Sequence, residues 1–269
     1  MIDDLNRYFN DDLNNLVSKV NYISTRRDIT IINFSEDFYL IIGCDVSGAI
    51  GTKPGDRVEA PGEIVGRFTT RVALMEILAV GAKPISIVNT LTTDLENGGR
   101  EIVNGISQLL QEIGLSDNIL TGSTENNMIT RETGLGVTVI GMVEKDKLCM
   151  NNTEEDDLIV TLGLPMVGEK VLANKEQIAE LDDLITLKKS DLAHEIIPVG
   201  SKGIKYEAEL LTEMSGLGFK NVQKSEIDLT SSAGPATVLL FSLPPANLSE
   251  LEEIFFHKPL NVIGRAILP

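Results

Sequence analysis

Two stretches decide the fold. One is FYLIIGCD at residues 38–45, which runs on into VSGAIG at 46–51; the other is GEIVGRFTTRVALMEILAVGAKP at 62–84. The first is a short run of aromatic and β-branched residues ending in a glycine-containing turn, so it reads as a strand. The second places Ile64, Phe68, Val72, Met75 and Ala79 at helical spacing, which predicts a helix over 63–80 with those residues on one face. Gly81 and Pro84 stop it. Just upstream, residues 28–34 form another short strand, and Ser35-Glu36-Asp37 reads as the turn that pairs it with 38–44 in a hairpin.

Working outward, residues 85–91 read as a strand and 100–113 as an amphipathic helix with Ile102, Ile106, Leu109 and Ile113 inward and Gly114 as its cap. Residues 118–121 and 136–143 read as strands. The polar run EKDKLCMNNTEEDD, 144–157, lacks apolar spacing and marks a domain boundary. Beyond it, 158–162, 222–227, 237–242 and 261–267 read as strands, and 201–217 and 249–256 as helices. Residues 3–21 carry Leu5, Phe9, Leu13, Leu16 and Val20 at helical spacing and predict a surface helix. The expectation is a mixed α/β (α+β) chain of two domains, 1–147 and 148–269.

The composition suits a globular chain. Of 269 residues, 42% are hydrophobic and 23% charged, and a chain this long builds a core without staples. No apolar run reaches the ~18 residues of a spanning helix, and no secretory signal is visible at the N-terminus. A net charge of −17 repels a phosphate backbone or an anionic membrane. Cys44 and Cys149 have no CxxC partner, which points to reduced thiols in a cytoplasmic protein.

Common nucleotide and hydrolase motifs are missing. Gly163-x4-Gly168 is followed by Glu169, not by the Lys a phosphate-binding loop needs. Gly216-x-Gly218 has Asn221 where a dinucleotide fingerprint has its third glycine, and there is no GxSxG or HExxH. Chemistry is carried instead by the placement of carboxylates. Asp45 is delivered by a strand into a turn, the position of a hard-cation ligand or of a turn cap. Glu76 lies between the apolar stripe of its helix and the flank, so it is either buried with a partner or on a narrow solvated strip. Asp28 follows Arg26 and Arg27, where a local salt bridge is the plainer reading. The run from Thr121 to Asn126, TGSTEN, offers a bare amide at Gly122, hydroxyls at Ser123 and Thr124, the Glu125 carboxylate and the Asn126 amide. It reads as a phosphate-cradling loop or as a polar hairpin.

In this order the segments resemble the aminoimidazole ribonucleotide (AIR) synthetase superfamily of ATP-using enzymes, which includes thiamine-monophosphate kinase. The resemblance covers most of the chain and is strongest over 26–143. It rests on the acidic residue opening the first strand, Asp45 closing the second, Glu76 in a helix ending Gly81-Ala82-Lys83-Pro84, the loop Thr121-Gly122-Ser123-Thr124, and Val137-Thr138-Val139-Ile140-Gly141. Two positions depart from the family pattern. Ser123 replaces a loop Asp, and Ser201-Lys202-Gly203-Ile204 stands where the family has Ser-Asp-Gly-Leu, which suits an anion there better than a metal. The wording CDVSGAIG and LTGSTENN resembles most the α-ribazole kinase branch.

The resemblance implies a homodimer whose N-terminal sheets join into a barrel, binding ATP and Mg²⁺ and a small nucleoside-like acceptor. It implies Asp28, Asp45, Glu76 and Glu125 as magnesium ligands, and Gly122, Ser123, Thr124 and Asn126 as phosphate-positioning residues. Arg71 or Lys202 would neutralise charge on the transferred phosphoryl group. The implied reaction is phosphorylation of the 5′-hydroxyl of α-ribazole in cobalamin lower-ligand assembly. Thiamine-monophosphate kinase, another ATP-dependent enzyme of the fold, and a non-catalytic nucleotide sensor stand beside it.

Overall fold

The computed structural model describes residues 22–24, 27–222 and 227–269. The expected helix 3–21 lies outside the described residues, as do positions 223–226 of the expected strand 222–227.

The chain opens with β1 (Tyr22–Ser24), β2 (Ile29–Asn33), β3 (Phe38–Gly48), and the short β4 (Ile50–Gly51) and β5 (Val58–Glu59). Helix α1 (Gly62–Ala79), β6 (Lys83–Leu91), α2 (Arg100–Glu112), β7 (Leu120–Thr124) and β8 (Gly134–Glu144) follow. Six strands form one sheet in the order β1-β2-β3-β8-β6-β7, antiparallel except for β6 with β7. The hairpin is as the sequence predicts, with Ile29 opposite Gly43.

Beyond residue 157 come β9 (Leu158–Leu162), α3 (Glu169–Ala173), α4 (Leu181–Ser190), β10 (Glu195–Pro198), α5 (Ile204–Met214), β11 (Gly218–Asn221), β12 (Leu239–Leu243), α6 (Leu248–Ile254) and β13 (Leu260–Ile267). Five of these strands make a second, antiparallel sheet in the order β10-β12-β9-β13-β11. Its central strands are buried on both faces. Leu158, Val160 and Leu162 point into the core shared with the first sheet, while Ile159, Leu240 and Ile263 pack with Ile204, Ala208 and Leu211 of α5. A strand buried on both sides has no need to alternate polar and apolar residues, which explains the unbroken LIVTL of β9.

Helix α1 departs from its expected single face. It packs on β3 and β8, on α2, and on α4 and β10 of the second sheet unit. Thirteen of its eighteen residues are buried, Arg71 and Glu76 among them. An apolar stripe suffices for a helix with one neighbour; this one is enclosed by three. Gly66 and Gly105 let α1 and α2 come close, since a Cβ on Gly66 would lie 2.0 Å from the Ile102 carbonyl oxygen. Among the described residues, no helix lies over the opposite face of the first sheet: Val46 is 76% exposed, and Cys44 is exposed. Among the described residues, no helix is long and apolar enough to cross a membrane.

Candidate active site at the domain junction

The acidic residues meet around Gly43. Along β3, Ile41, Gly43 and Asp45 alternate onto the face that α1 covers. A Cβ at Gly43 would lie 3.4 Å from Cβ of Glu76, so the glycine makes room for that side chain against the sheet. Ile29 pairs with Gly43, which sets Asp28 at the same end of the hairpin. From the second sheet unit, α5 adds Glu207, a residue the sequence reading passed over. A void of about 10 Å³, scarcely room for one water, is lined by Arg27, Asp28, Glu76, Lys202, Tyr206 and Glu207 among others.

Burial governs the charges here. Glu76 is pushed up to about 8, chiefly by burial; Arg27 opposes the shift, and the carboxylates of Asp28, Glu207 and Asp45 add to it. Glu207 rises to about 7 by burial and the nearby Asp28, against Arg27 and Lys202. Asp45, half-buried, rises to about 6; burial leads, a hydrogen bond from the Val46 amide works against it, and Asp28 adds a little. Arg27 is buried, donates from Nη2 to the Ile196 carbonyl at 2.9 Å and lies 3.5 Å from the Glu195 carboxylate. It fixes β2 to β10 and supplies the positive charge among the surrounding acids.

Asp45 also borders the larger cavity, about 380 Å³, between the two sheet units. Val46, Ser47, Gly48, Ile50, Val58, Ala60, Ile64 and Phe68 form one wall, and Val167, Gly168, Val171, Leu172, Gly234 and Pro235 the other. No Lys or Arg is among its lining residues, and Asp45 is its single carboxylate.

Arg71 requires a correction. It is fully buried behind this cavity, with its guanidinium 4.8 Å from the centre of the Phe68 ring. It donates to the carbonyls of Ala179 and Pro235 at 2.5 Å each and to the Glu180 carboxylate at 3.1 Å. Its two terminal nitrogens hold α1 to the second unit, so it is a clasp, while its buried Nε has no hydrogen-bond partner among the described residues. Lys202 is corrected as well. Its ammonium donates to Tyr206 Oη at 3.2 Å and faces the carboxylates of Asp28 and Glu207, not an anion site.

The stretch 121–126 stands apart. Residues 120–124 are not a loop but β7, the sheet's edge strand. Across the sheet, Asp45 pairs with Val137, Val137 with Asn89 and Asn89 with Gly122. Three inter-strand steps of about 4.8 Å put Gly122 about 14 Å from Asp45. Gly122 serves packing there, because a Cβ would meet the Asn89 amide at 2.5 Å. Gly122, Ser123, Thr124 and Asn126 do share one open cavity of about 470 Å³ with Asn89, Leu95 and Val103. Glu125 does not join Asp45 and Glu76. It is half-buried, and its carboxylate accepts from the amides of Asn127 (2.6 Å) and Met128 (3.1 Å), which hold it below the usual range.

A basic pair was also missed. Lys53 Nζ donates to Thr130 Oγ1 at 2.6 Å, and the adjoining cavity of about 500 Å³ is lined by Arg131 with Gly48 and Thr92. Asp56 ties this region by accepting from the Thr133 amide and hydroxyl at 2.7 Å each. Lys53 had a signal in GTKPGDR at 51–57, a glycine-containing turn, whereas Arg131 lies far along the chain from it.

Magnesium fits part of this arrangement. Among the described residues, no three His, Cys, Asp or Glu side chains stand close enough together to hold an ion. Magnesium binds through one or two carboxylates and keeps waters and substrate oxygens. Asp45, at the cavity wall, and the exposed Asp28 meet that requirement. Glu76 lies beside them, and its surroundings favour the protonated form when no ion is bound.

Residues 26–143 match the model of the AIR synthase related protein, N-terminal domain. That match identifies this N-terminal region as an AIR synthase-related domain. Among solved structures, AaThiL complexed with AMPPCP and TMP is 15% identical with a TM-score of 0.63, the match covering 98% of this chain and 93% of that one. Thiamine-monophosphate kinase from Stenotrophomonas maltophilia K279a is 16% identical, TM-score 0.63, covering 96% and 92%. T. maritima PurL complexed with ATP is 16% identical, TM-score 0.58, covering 95% of this chain but 45% of that one. At these identities the likeness is one of fold. No curated protein matches the sequence.

Proposed function

We propose that this chain is an ATP-dependent small-molecule kinase of the AIR synthase-related superfamily, acting on α-ribazole at its 5′-hydroxyl, with thiamine monophosphate as the alternative acceptor. The supporting observation for a kinase is coverage: the fold matches thiamine-monophosphate kinase nearly end to end and PurL over less than half its length. The choice of acceptor is supported by the 380 Å³ cavity, whose described walls are mostly apolar, carry no cation, and present one carboxylate. An uncharged heteroaromatic riboside suits those walls better than an acceptor that already carries a phosphate.

In this reading Asp45 and Asp28 hold Mg²⁺, which when bound offsets charge on the ATP phosphates. Phe68 and Ile64 seat the base of the acceptor, and the Asp45 end of the cavity is where its hydroxyl meets the phosphoryl group. Lys53 and Arg131 stand near enough to the Gly48 end to neutralise phosphate oxygens. The division of labour runs at residue 147: the unit 1–147 binds nucleotide and 148–269 closes over the acceptor. The uncovered face of the first sheet, with Val46 and Ile85 exposed, is the surface on which a homodimer would form.

The test is ATP consumption by purified protein with Mg²⁺, with α-ribazole or thiamine monophosphate as acceptor and the product identified by mass. Phosphorylated α-ribazole is the expected product. Turnover of thiamine monophosphate alone would replace the acceptor, and ATP binding without transfer to either would overturn the kinase reading.

A further inference from the structure

Cys149 and Lys188 meet where the connection between the two units passes α4. Cys149 lies on the polar stretch 144–157, and its amide donates to the Val80 carbonyl at the end of α1 at 3.1 Å. A Cβ on Gly81 would lie 3.5 Å from its sulfur, so the turn that ends α1 packs against the thiol. Lys188 stands in the last turn of α4. Its Nζ donates to Cys149 Sγ at 2.9 Å, across 39 residues of chain. Both side chains are half-buried, which leaves them within reach of a small oxidant. Among the described residues Lys188 has no carboxylate partner; the sulfur is what its ammonium meets. Cys44, exposed on the open sheet face, has no hydrogen-bonded amine among the described residues and so serves as an internal control.

We infer that Cys149 and Lys188 are a cross-linking pair that closes into a sulfenamide, a direct S–N bond, when the protein meets hydrogen peroxide. The Cys149 sulfur takes one oxygen from the peroxide, giving a sulfenic acid and a first water. The Lys188 ammonium releases one proton to solvent, and its nitrogen attacks that sulfur. The S–N bond forms, the S–O bond breaks, and the hydroxyl leaves with a second proton from the nitrogen as water. Thiol, ammonium and one peroxide thus yield the sulfenamide, two waters and one proton. A small thiol reverses the step by attacking the Cys149 sulfur and expelling the amine, and a second thiol clears the mixed disulfide. The bond ties the connection to α4, whose first residues follow the Glu180 that holds Arg71. Oxidation therefore fastens the joint between the units at a second point. The inference is independent of the kinase reading, and its test requires no turnover.

The experiment treats the full-length protein with hydrogen peroxide, digests it without reductant and reads the peptides by mass. The peptides bearing Cys149 and Lys188 are expected as one species, lighter by two hydrogen atoms than their sum, and dithiothreitol is expected to separate them. Lys188→Gln is expected to abolish the joined species and to leave Cys149 as a sulfinic acid, or as an adduct when the sulfenate trap dimedone is present. Lys188→Arg keeps a charge beside the sulfur and is expected to lose the joined species as well, which separates the chemistry of the nitrogen from its charge. Wild-type Cys149 that stays a thiol, or that runs on to sulfinic acid as fast as in the lysine variants, would overturn the inference. A disulfide between Cys149 and Cys44 would overturn it too. A joined species heavier by one oxygen would overturn the direct S–N bond.

Discussion

Glu76 and Glu125 are the same side chain in opposite situations. Glu76 is packed against Gly43 with Asp28, Asp45 and Glu207 around it, and its pKa rises to about 8. Glu125, half-buried on the far edge of the sheet, has two backbone amides donating to it, and its pKa falls. Burial next to like charges opposes ionisation, and amide donors favour it. The sequence offers both as candidate metal ligands; the structure gives one a reluctant proton and the other a structural turn.

The sharpest way to break this comparison is at the residue between the extremes. Asp45→Asn is expected to lower kcat by roughly a thousandfold or more, with little change in melting temperature. Steady-state kinetics beside a thermal melt checks it, and near wild-type turnover would remove Asp45 from the site. The next effect falls on the charge that steadies the acids. Arg27→Ala leaves Glu195 buried without its ion-pair partner and is expected to cost about 3–5 kcal/mol in chemical denaturation. The titration of Glu76, followed by carboxyl NMR, is expected to move further up in the same variant.

A smaller effect separates the two glutamates by pH. The folded pKa of Glu76 lies above its ordinary 4.5, so the native state holds a proton that the unfolded state releases. Its contribution is present below about pH 4.5 and is lost as pH rises toward 8. Glu76→Gln is therefore expected to flatten the decline of stability across that window. At pH 9 the gain over wild type is on the order of a few kcal/mol. Denaturation curves at pH 5, 7 and 9 measure it, and a slope unchanged from wild type would count against the buried state of Glu76. The smallest effect belongs to Glu125→Gln: kcat within about threefold and a melting temperature within about 2 °C of wild type. A large loss of activity would return Glu125 to the site.

Much of the first unit was legible because its strands and α1 follow simple periods. The hairpin turn at 35–37, the stop at Gly81 and the strand after residue 134 are all local signals. The second unit hid three elements, the short α3 among them, and its β11 lies at Gly218–Asn221, ahead of the strand expected at 222–227. Helix α4 begins at a capping box formed by Glu180 and Asp183, an unusual choice where Ser or Thr commonly leads. Strand β10 has only four residues, all buried, and begins with the charged Glu195. At the site, Asp28, Asp45 and Glu76 were readable as candidates, but their meeting depends on Gly43 and on long-range register. Glu207 had a signal: it falls within the stripe Ile204, Ala208 and Leu211, where a carboxylate is out of place. Arg71 misled because its partners lie more than a hundred residues away.

That clasp has a consequence for how the chain can change over generations. Three of the acceptors that hold Arg71 are main-chain oxygens, of Ala179, Pro235 and Ala236. Drift in the side chains at those positions does not delete the contact, provided the backbone keeps its path. A mutation at residue 71 deletes all of it at once. One side of the joint is thus free to diversify while the other is pinned, and the second unit can be remodelled around its ligand without coming loose from the first.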